Sequence, residues 1–280
     1  MATYRKIICI MPTYNSERTI KLALKTVSLV ADKIIIVDSG SVDNTIKIAQ
    51  RFNNVLVINT NIKNDFSYIR NLALKLVSEG DFVLCIDSDE YMNKELIVSL
   101  LKLKKVLHQI KIRFLIGCCD RLMPLVIGNK TYIYREKNRM VIFRKTQNIK
   151  YIGKVYEVLI VNHLLFERIA HKFYLKGSII HTPRTAPEYL KKRISRLDIL
   201  LSNLIISERH VLKREKYLAN IPPPIARLIY SAYLLIGNMK TLLDSRKGDF
   251  LARLWLWSCD IIVIFYLTIK YIINSCTKKH

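Results

Sequence analysis

The first 97 residues alternate between short, almost wholly apolar runs and stretches in which apolar positions recur at helical spacing. "KIICIM" at 6–11, "DKIIIVD" at 32–38, "NVLVIN" at 54–59 and "DFVLCID" at 81–87 read as buried strands. Between them, "SERTIKLALKTVSLV" at 16–30, "SVDNTIKIAQRF" at 41–52 and "DFSYIRNLALKLVSEG" at 65–80 read as amphipathic helices, with Ser16 and Asp65 as caps. Strands apolar on both faces and alternating with helices predict a parallel sheet covered on both sides, an α/β fold of nucleotide-binding style.

In such sheets ligands bind beyond the carboxyl ends of the strands. The polar residues gather there: "PTYNSE" follows the first strand, "VDSGSVDNT" the second with Asp38 at its tip, and "DSDE" the fourth, placing Asp87, Asp89 and Glu90 together. Carboxylates this close repel, so a positive group is expected among them, and a hard divalent cation is the obvious one. The plainer alternative is a strand-end loop followed by helix-capping carboxylates. With no GxGxxG and no GxxxxGK, neither a dinucleotide fold nor a P-loop is supported, and phosphates must be held another way.

"MPTYNSE", "VDSGSVDNT", "FSYIRNLAL" and "LCIDSDEYM", in this order and spacing, resemble the N-terminal half of a family 2 glycosyltransferase of the GT-A fold. "NRMVIFRK", "YIGKVYEVL", "GSIIHTP" and "LLDSRKGDFLARLW" are similar to the C-terminal half of the branch that includes lipopolysaccharide-core glucosyltransferases. The resemblance implies a mostly parallel, Rossmann-like sheet flanked by helices. It places a GT-A domain at 1–184, with a nucleotide-sugar half at about 1–97 and an acceptor half at about 98–184.

The family resemblance also implies roles. Pro12, Thr13, Tyr14, Asn15 and Asp38 would line the pocket for the base and ribose of a nucleotide sugar, a UDP-sugar foremost, and Asp87 would approach the ribose or metal. Asp89 would ligate Mn²⁺ or Mg²⁺, and His181 would complete the metal shell unless it is an ordinary strand-end histidine. Glu157 is the candidate base for an inverting transfer, with a solvent-facing strand residue as the alternative; Tyr156 stands where the branch usually reads histidine. Arg70 would reach the diphosphate or organise the acidic loop, or serve as an ordinary structural arginine. Arg139 and Arg144 would face acceptor phosphates or the donor, or form a solvated basic edge. The absence of a QxxRW motif, found in processive synthases of the wider family, implies transfer of a single sugar.

Charge divides the chain at the same place as pattern. Residues 1–97 hold 12 basic and 11 acidic side chains, so nearly all of the net charge of +24 falls on 98–280. That field wants a polyanion. The segment 185–280 reads as a helical extension, first basic and then apolar and aromatic, with Asp260 and Lys270 interrupting its last long apolar run. Helices lying in an anionic membrane surface are the favoured reading, with a spanning helix or a dimer contact as alternatives. The six cysteines show no ligand spacing, which suggests reduced thiols, and "IICIM" is too short for a signal peptide. These features lead to an expected place at the cytoplasmic face of the cell membrane and a lipid-linked or envelope glycan as acceptor. No nucleic-acid module is recognisable, and no nucleic-acid partner is expected. The competing function classes are a nucleotidyltransferase and a non-catalytic basic membrane binder.

Overall fold

The computed structural model describes residues 5–195, apart from 128, 156, 186, 190, 193 and 194. Tyr156 and the extension beyond 195 lie outside the described residues. The chain forms two compact units, one of 1–123 with 135–182 and one of 124–134 with 183–280.

In the first unit, β1 (Ile7–Thr13), β2 (Lys33–Asp38), β3 (Val55–Asn59) and β4 (Phe82–Cys85) are mutually parallel in the order β3-β2-β1-β4. All seven residues of β1 are buried, as expected of a strand with neighbours on both edges and helices on both faces. Side chains alternate between the two faces: Ile7, Cys9 and Met11 join one apolar cluster, and Ile8 and Ile10 the other.

The first cluster is covered by α1 (Ile20–Val27), α2 (Thr45–Ala49) and, after β5 (Glu90–Met92), α4 (Lys94–Val106). α1 buries Ile20, Ala23, Leu24 and Val27, the single stripe its sequence spacing predicts. The second cluster is covered by α3 (Phe66–Leu74), whose N-terminus is capped as expected by Asp65 accepting the Tyr68 N–H at 2.9 Å.

Two helix starts differ from expectation. Ser16 does not cap α1 with its side chain: its carbonyl closes a turn by accepting the N–H groups of Thr19 and Ile20, and the helix begins at Ile20. α2 begins only at Thr45, because residues 41–44 are spent tying the loops after β1 and β2 together.

After α4 the sheet becomes mixed. β6 (Leu115–Ile127) and β7 (Lys130–Arg144) follow, and β7 runs antiparallel to β4 with Phe82 opposite Arg144. A small antiparallel sheet of β8 (Ile149–Ile152), β9 (Val158–Val161) and β10 (Leu164–Leu165), with α5 (Phe166–Ile169), packs on the second cluster. β11 (His171–His181) is parallel to β6 and antiparallel to β5, so His181 pairs with Glu90. The β11 register breaks between Tyr174 and Ser178, where Gly177 takes φ +102°. A β-carbon there would stand 2.1 Å from the Leu96 backbone nitrogen, so only glycine lets β11 meet the start of α4. In the second unit, β12 (Arg184–Thr185) lies parallel to the end of β6, opposite Leu125 and Val126.

Candidate active site

The tips of β1, β2 and β3 end level: Thr13 stands opposite Asp38 and Asp38 opposite Asn59. Beyond them the loops are stapled to each other. The Asn15 N–H donates to Ser41 Oγ at 2.8 Å, and Asn15 Oδ1 accepts the Val42 N–H at 3.0 Å. Asn15 holds φ +45°, a conformation asparagine tolerates better than most residues. Pro12 and Thr13 are buried in the strand. Asp38, also buried, turns its carboxylate into its own loop, accepting from the N–H groups of Gly40 and Ser41 and from the Ser41 hydroxyl. Tyr14 is different: the residue is 48% exposed, with the Lys63 ammonium 4.8 Å from its ring centroid.

Arg70 is the hub of the site. It lies on the buried face of α3 beside Ile69, Ala73 and Leu74, a place where its neighbours are apolar. Its Nη2 donates to Asp87 Oδ1 at 2.7 Å and its Nε to Glu157 Oε1 at 2.6 Å, so one guanidinium joins the turn beyond β4 to the residue before β9. Its carbon Cζ lies 5.7 Å from the Tyr151 ring centroid, and its buried Nη1 has no hydrogen-bond partner among the described residues. Burial works against the charge, but Asp87 and then Glu157 raise the Arg70 pKa well above its ordinary value. Burial likewise pushes Asp87 up; Arg70, with help from Arg139, outweighs it and holds the carboxyl down to about 2.

The loop carrying Glu157 is fixed to α3 at two further points. Asn71 donates to the Tyr151 carbonyl and accepts the Tyr151 N–H, both at 2.8 Å, and the Phe66 N–H donates to the Lys154 carbonyl at 2.8 Å. Among the described residues, Glu157 Oε2 takes no hydrogen bond.

The acidic turn is closed by its own fourth residue. Glu90 N–H donates to the Asp87 carbonyl and Glu90 Oε2 accepts the Asp87 N–H, both at 3.0 Å. Ser88 Oγ meets Ser16 Oγ at 2.8 Å, which is the role Ser16 takes in place of capping. Burial first, and then the charge of Asp87, push Glu90 above the usual carboxylate range, with Arg121 3.5 Å away.

Asp89 and His181 form the last element. His181 Nε2 lies 3.2 Å from Asp89 Oδ2, and its Nδ1 lies 2.9 Å from the Thr182 carbonyl. A nitrogen facing a carbonyl must carry the proton, so Nε2 meets the carboxylate with a lone pair unless a second proton or a cation lies between. A carboxylate oxygen and an imidazole nitrogen therefore suit a divalent cation as two ligands. Among the described residues no group of three His, Cys, Asp or Glu side chains is gathered to hold an ion, so phosphate oxygens and water would supply the rest of the shell.

Arg139 and Arg144 part company. Burial works against the charge of Arg139, but Glu90, then Glu136 and Asp87, raise its pKa above the ordinary value, whereas Arg144 donates to the carbonyls of Ile110 at 3.3 Å and Ile112 at 2.6 Å and is a structural clasp. Sequence reasoning missed Asn71, Lys63 and Glu90 as a partner of Asp87. Only Glu90 left a signal, as the extra carboxylate in "DSDE".

A sheet whose parallel half ends in linked polar loops and an arginine-bridged acidic turn is an α/β architecture of the kind in which ligands bind over the strand ends. Residues 8–151 match the family model described as Glycosyl transferase family 2, and the chain belongs to that family. It is 32% identical over 152 residues to the SPbeta prophage-derived glycosyltransferase SunS of Bacillus subtilis, covering 54% of this chain and 34% of SunS. It is 37% identical over 99 residues to the poly(ribitol-phosphate) beta-N-acetylglucosaminyltransferase TarS of Staphylococcus aureus, covering 32% of this chain and 17% of TarS. The matched stretches thus span about a third or less of these relatives. The crystal structure of S. aureus TarS 1–349 superposes with a TM-score of 0.45 at 20% identity, covering 76% of this chain and 68% of that one.

Proposed function

We propose that the protein is an inverting, metal-dependent glycosyltransferase that moves a single sugar from a nucleotide-diphosphate sugar, a UDP-sugar foremost, to a lipid-linked or cell-envelope glycan. The observation that carries this reading is Arg70 held between Asp87 and Glu157, which couples the donor side of the sheet to a carboxylate able to take a proton.

Tyr14 and Asn15 are the exposed strand-end positions on which a base and ribose would rest, carried by the buried Pro12, Thr13 and Asp38 beneath them. Arg70 Nη1, buried without a partner among the described residues, has an N–H that a diphosphate or ribose oxygen would satisfy. A Mn²⁺ or Mg²⁺ ion held by Asp89 and His181 would neutralise the leaving diphosphate as a Lewis acid. Glu157 Oε2 takes the proton from the acceptor hydroxyl as its oxygen bonds to the anomeric carbon. The bond from that carbon to the diphosphate breaks, and the electron pair leaves with the diphosphate. Arg70 fixes Oε1 throughout, so the free oxygen keeps one direction.

The basic and apolar segment beyond 195 supports a place at the cytoplasmic face of a membrane, where a lipid-linked acceptor would be met. The domain reading, with the transferase at 1–184 and an extension after it, accompanies this proposal. The test is a panel of UDP-sugars with Mn²⁺ and a membrane lipid extract, read as UDP release and sugar incorporation into lipid. Incorporation from one donor supports the reading; no UDP release from any nucleotide sugar overturns it.

A further inference from the structure

Lys63 lies in the loop after β3, and nothing in the proposed transfer uses it. Its Nζ donates to the Tyr14 hydroxyl at 3.4 Å and stands 4.8 Å from the ring centre of that half-exposed residue. Its stem passes over Gly40: a β-carbon there, where φ is +85°, would stand 4.0 Å from Lys63 Cε. Three loops, from the tips of β1, β2 and β3, thus meet at one aromatic face with one ammonium group resting on it.

We propose that Lys63 selects the nucleobase of the donor by donating a hydrogen bond to an exocyclic carbonyl oxygen, favouring a base such as uracil over cytosine. The inference rests on the donor-binding reading above and deepens it. A base that stacks on Tyr14 takes the face the ammonium now occupies. The cation–π contact is lost in that exchange. The flexible stem leaves the ammonium at the rim of the base, where it has three donors to place and can accept nothing. The oxygen at position 4 of uracil accepts one of them. The amino group at the same position of cytosine is itself a donor, so it leaves the ammonium unsatisfied and meets it with like polarity. Selection therefore arises from repulsion of the wrong base as much as from attraction of the right one.

The test is calorimetric titration of UDP and CDP into the full chain and into Lys63→Met, which keeps the stem and removes the donors. The wild type should bind UDP more tightly than CDP. Lys63→Met should weaken UDP by about tenfold, the scale of one charge-assisted hydrogen bond, and leave CDP within about twofold. Equal weakening of both nucleotides would make Lys63 a diphosphate contact and overturn the inference, as would an unchanged UDP to CDP ratio. A wild type that binds no nucleoside diphosphate at all would instead remove the donor-binding reading itself.

Discussion

Arg70 and Glu157 stand 87 positions apart in the chain, and Nε of the first meets Oε1 of the second at 2.6 Å. The same guanidinium holds Asp87. Two carboxylates from separate loops are thus held by one buried cation, and the sequence distance is bridged by a single side chain on α3.

Arg70→Lys keeps the charge but not the fork, and a lysine ammonium cannot hold both carboxylates in the same directions. We expect stability to fall by about 3 kcal/mol, the scale of breaking a buried ion pair, with larger losses for Arg70→Met. Urea unfolding measures this. Stability within error of the wild type for Arg70→Met would show that the bridge contributes nothing.

Asn71 clasps the Tyr151 backbone through both its oxygen and its nitrogen. Asn71→Leu leaves a backbone N–H and a carbonyl without these partners, at a cost of about 2 kcal/mol. Because the same strand leads to Glu157, turnover should fall in the folded variant as well. Melting temperature and turnover, measured together, check both halves of the expectation.

Gly177→Ala should be among the most damaging single-methyl additions in the protein. The new β-carbon meets backbone at 2.1 Å, and φ +102° is strained for any L side chain. A loss of about 3 kcal/mol or more, or failure to accumulate folded protein, is expected in thermal and denaturant unfolding.

Acid should reveal Asp87. Its folded pKa of about 2 lies below the ordinary 3.8, so its contribution to stability is complete above 3.8 and is lost as pH falls toward 2. Glu90 acts in the opposite sense: its raised folded pKa gives a contribution that is greatest below 4.5 and declines as pH rises through the folded value. Stability of Asp87→Asn, followed against pH, should lack the acid loss between 3.8 and 2. An unchanged slope in that window would contradict the assignment.

Much of the donor half was legible because its strands are buried on both faces and its helices carry one apolar stripe. The parallel pairing of β1 to β4 and the Asp65 cap on α3 follow from that pattern, whereas the order β3-β2-β1-β4 is set by the fold. Residues 41–44 carry a helix-like pattern but form a loop, because Ser41 Oγ accepts from the Asn15 N–H and the Asn44 N–H donates to Glu17, bonds that no local periodicity announces. The long β6 and β7 strands were not legible: β7 begins with the mixed polar run "KTYIYREKNR", which shows no buried face until Val141. Arg70 is legible as a residue placed to organise the acidic loop, and it holds Asp87 there, but its bond to Glu157 is not announced by the sequence. An arginine among Ile69, Ala73 and Leu74 makes sense only once β4 and β9 deliver carboxylates to it.

The central claim is that Glu157 accepts the acceptor proton while Arg70 holds it in place. Glu157→Gln keeps the shape and an oxygen for Arg70 but cannot take the proton. The decisive measurement is donor affinity and turnover of this variant side by side with the wild type. The account predicts UDP-sugar binding within about twofold and turnover reduced by about a hundredfold or more, the scale of losing general-base assistance. Turnover close to wild type, or a loss of donor affinity as large as the loss of turnover, would contradict it.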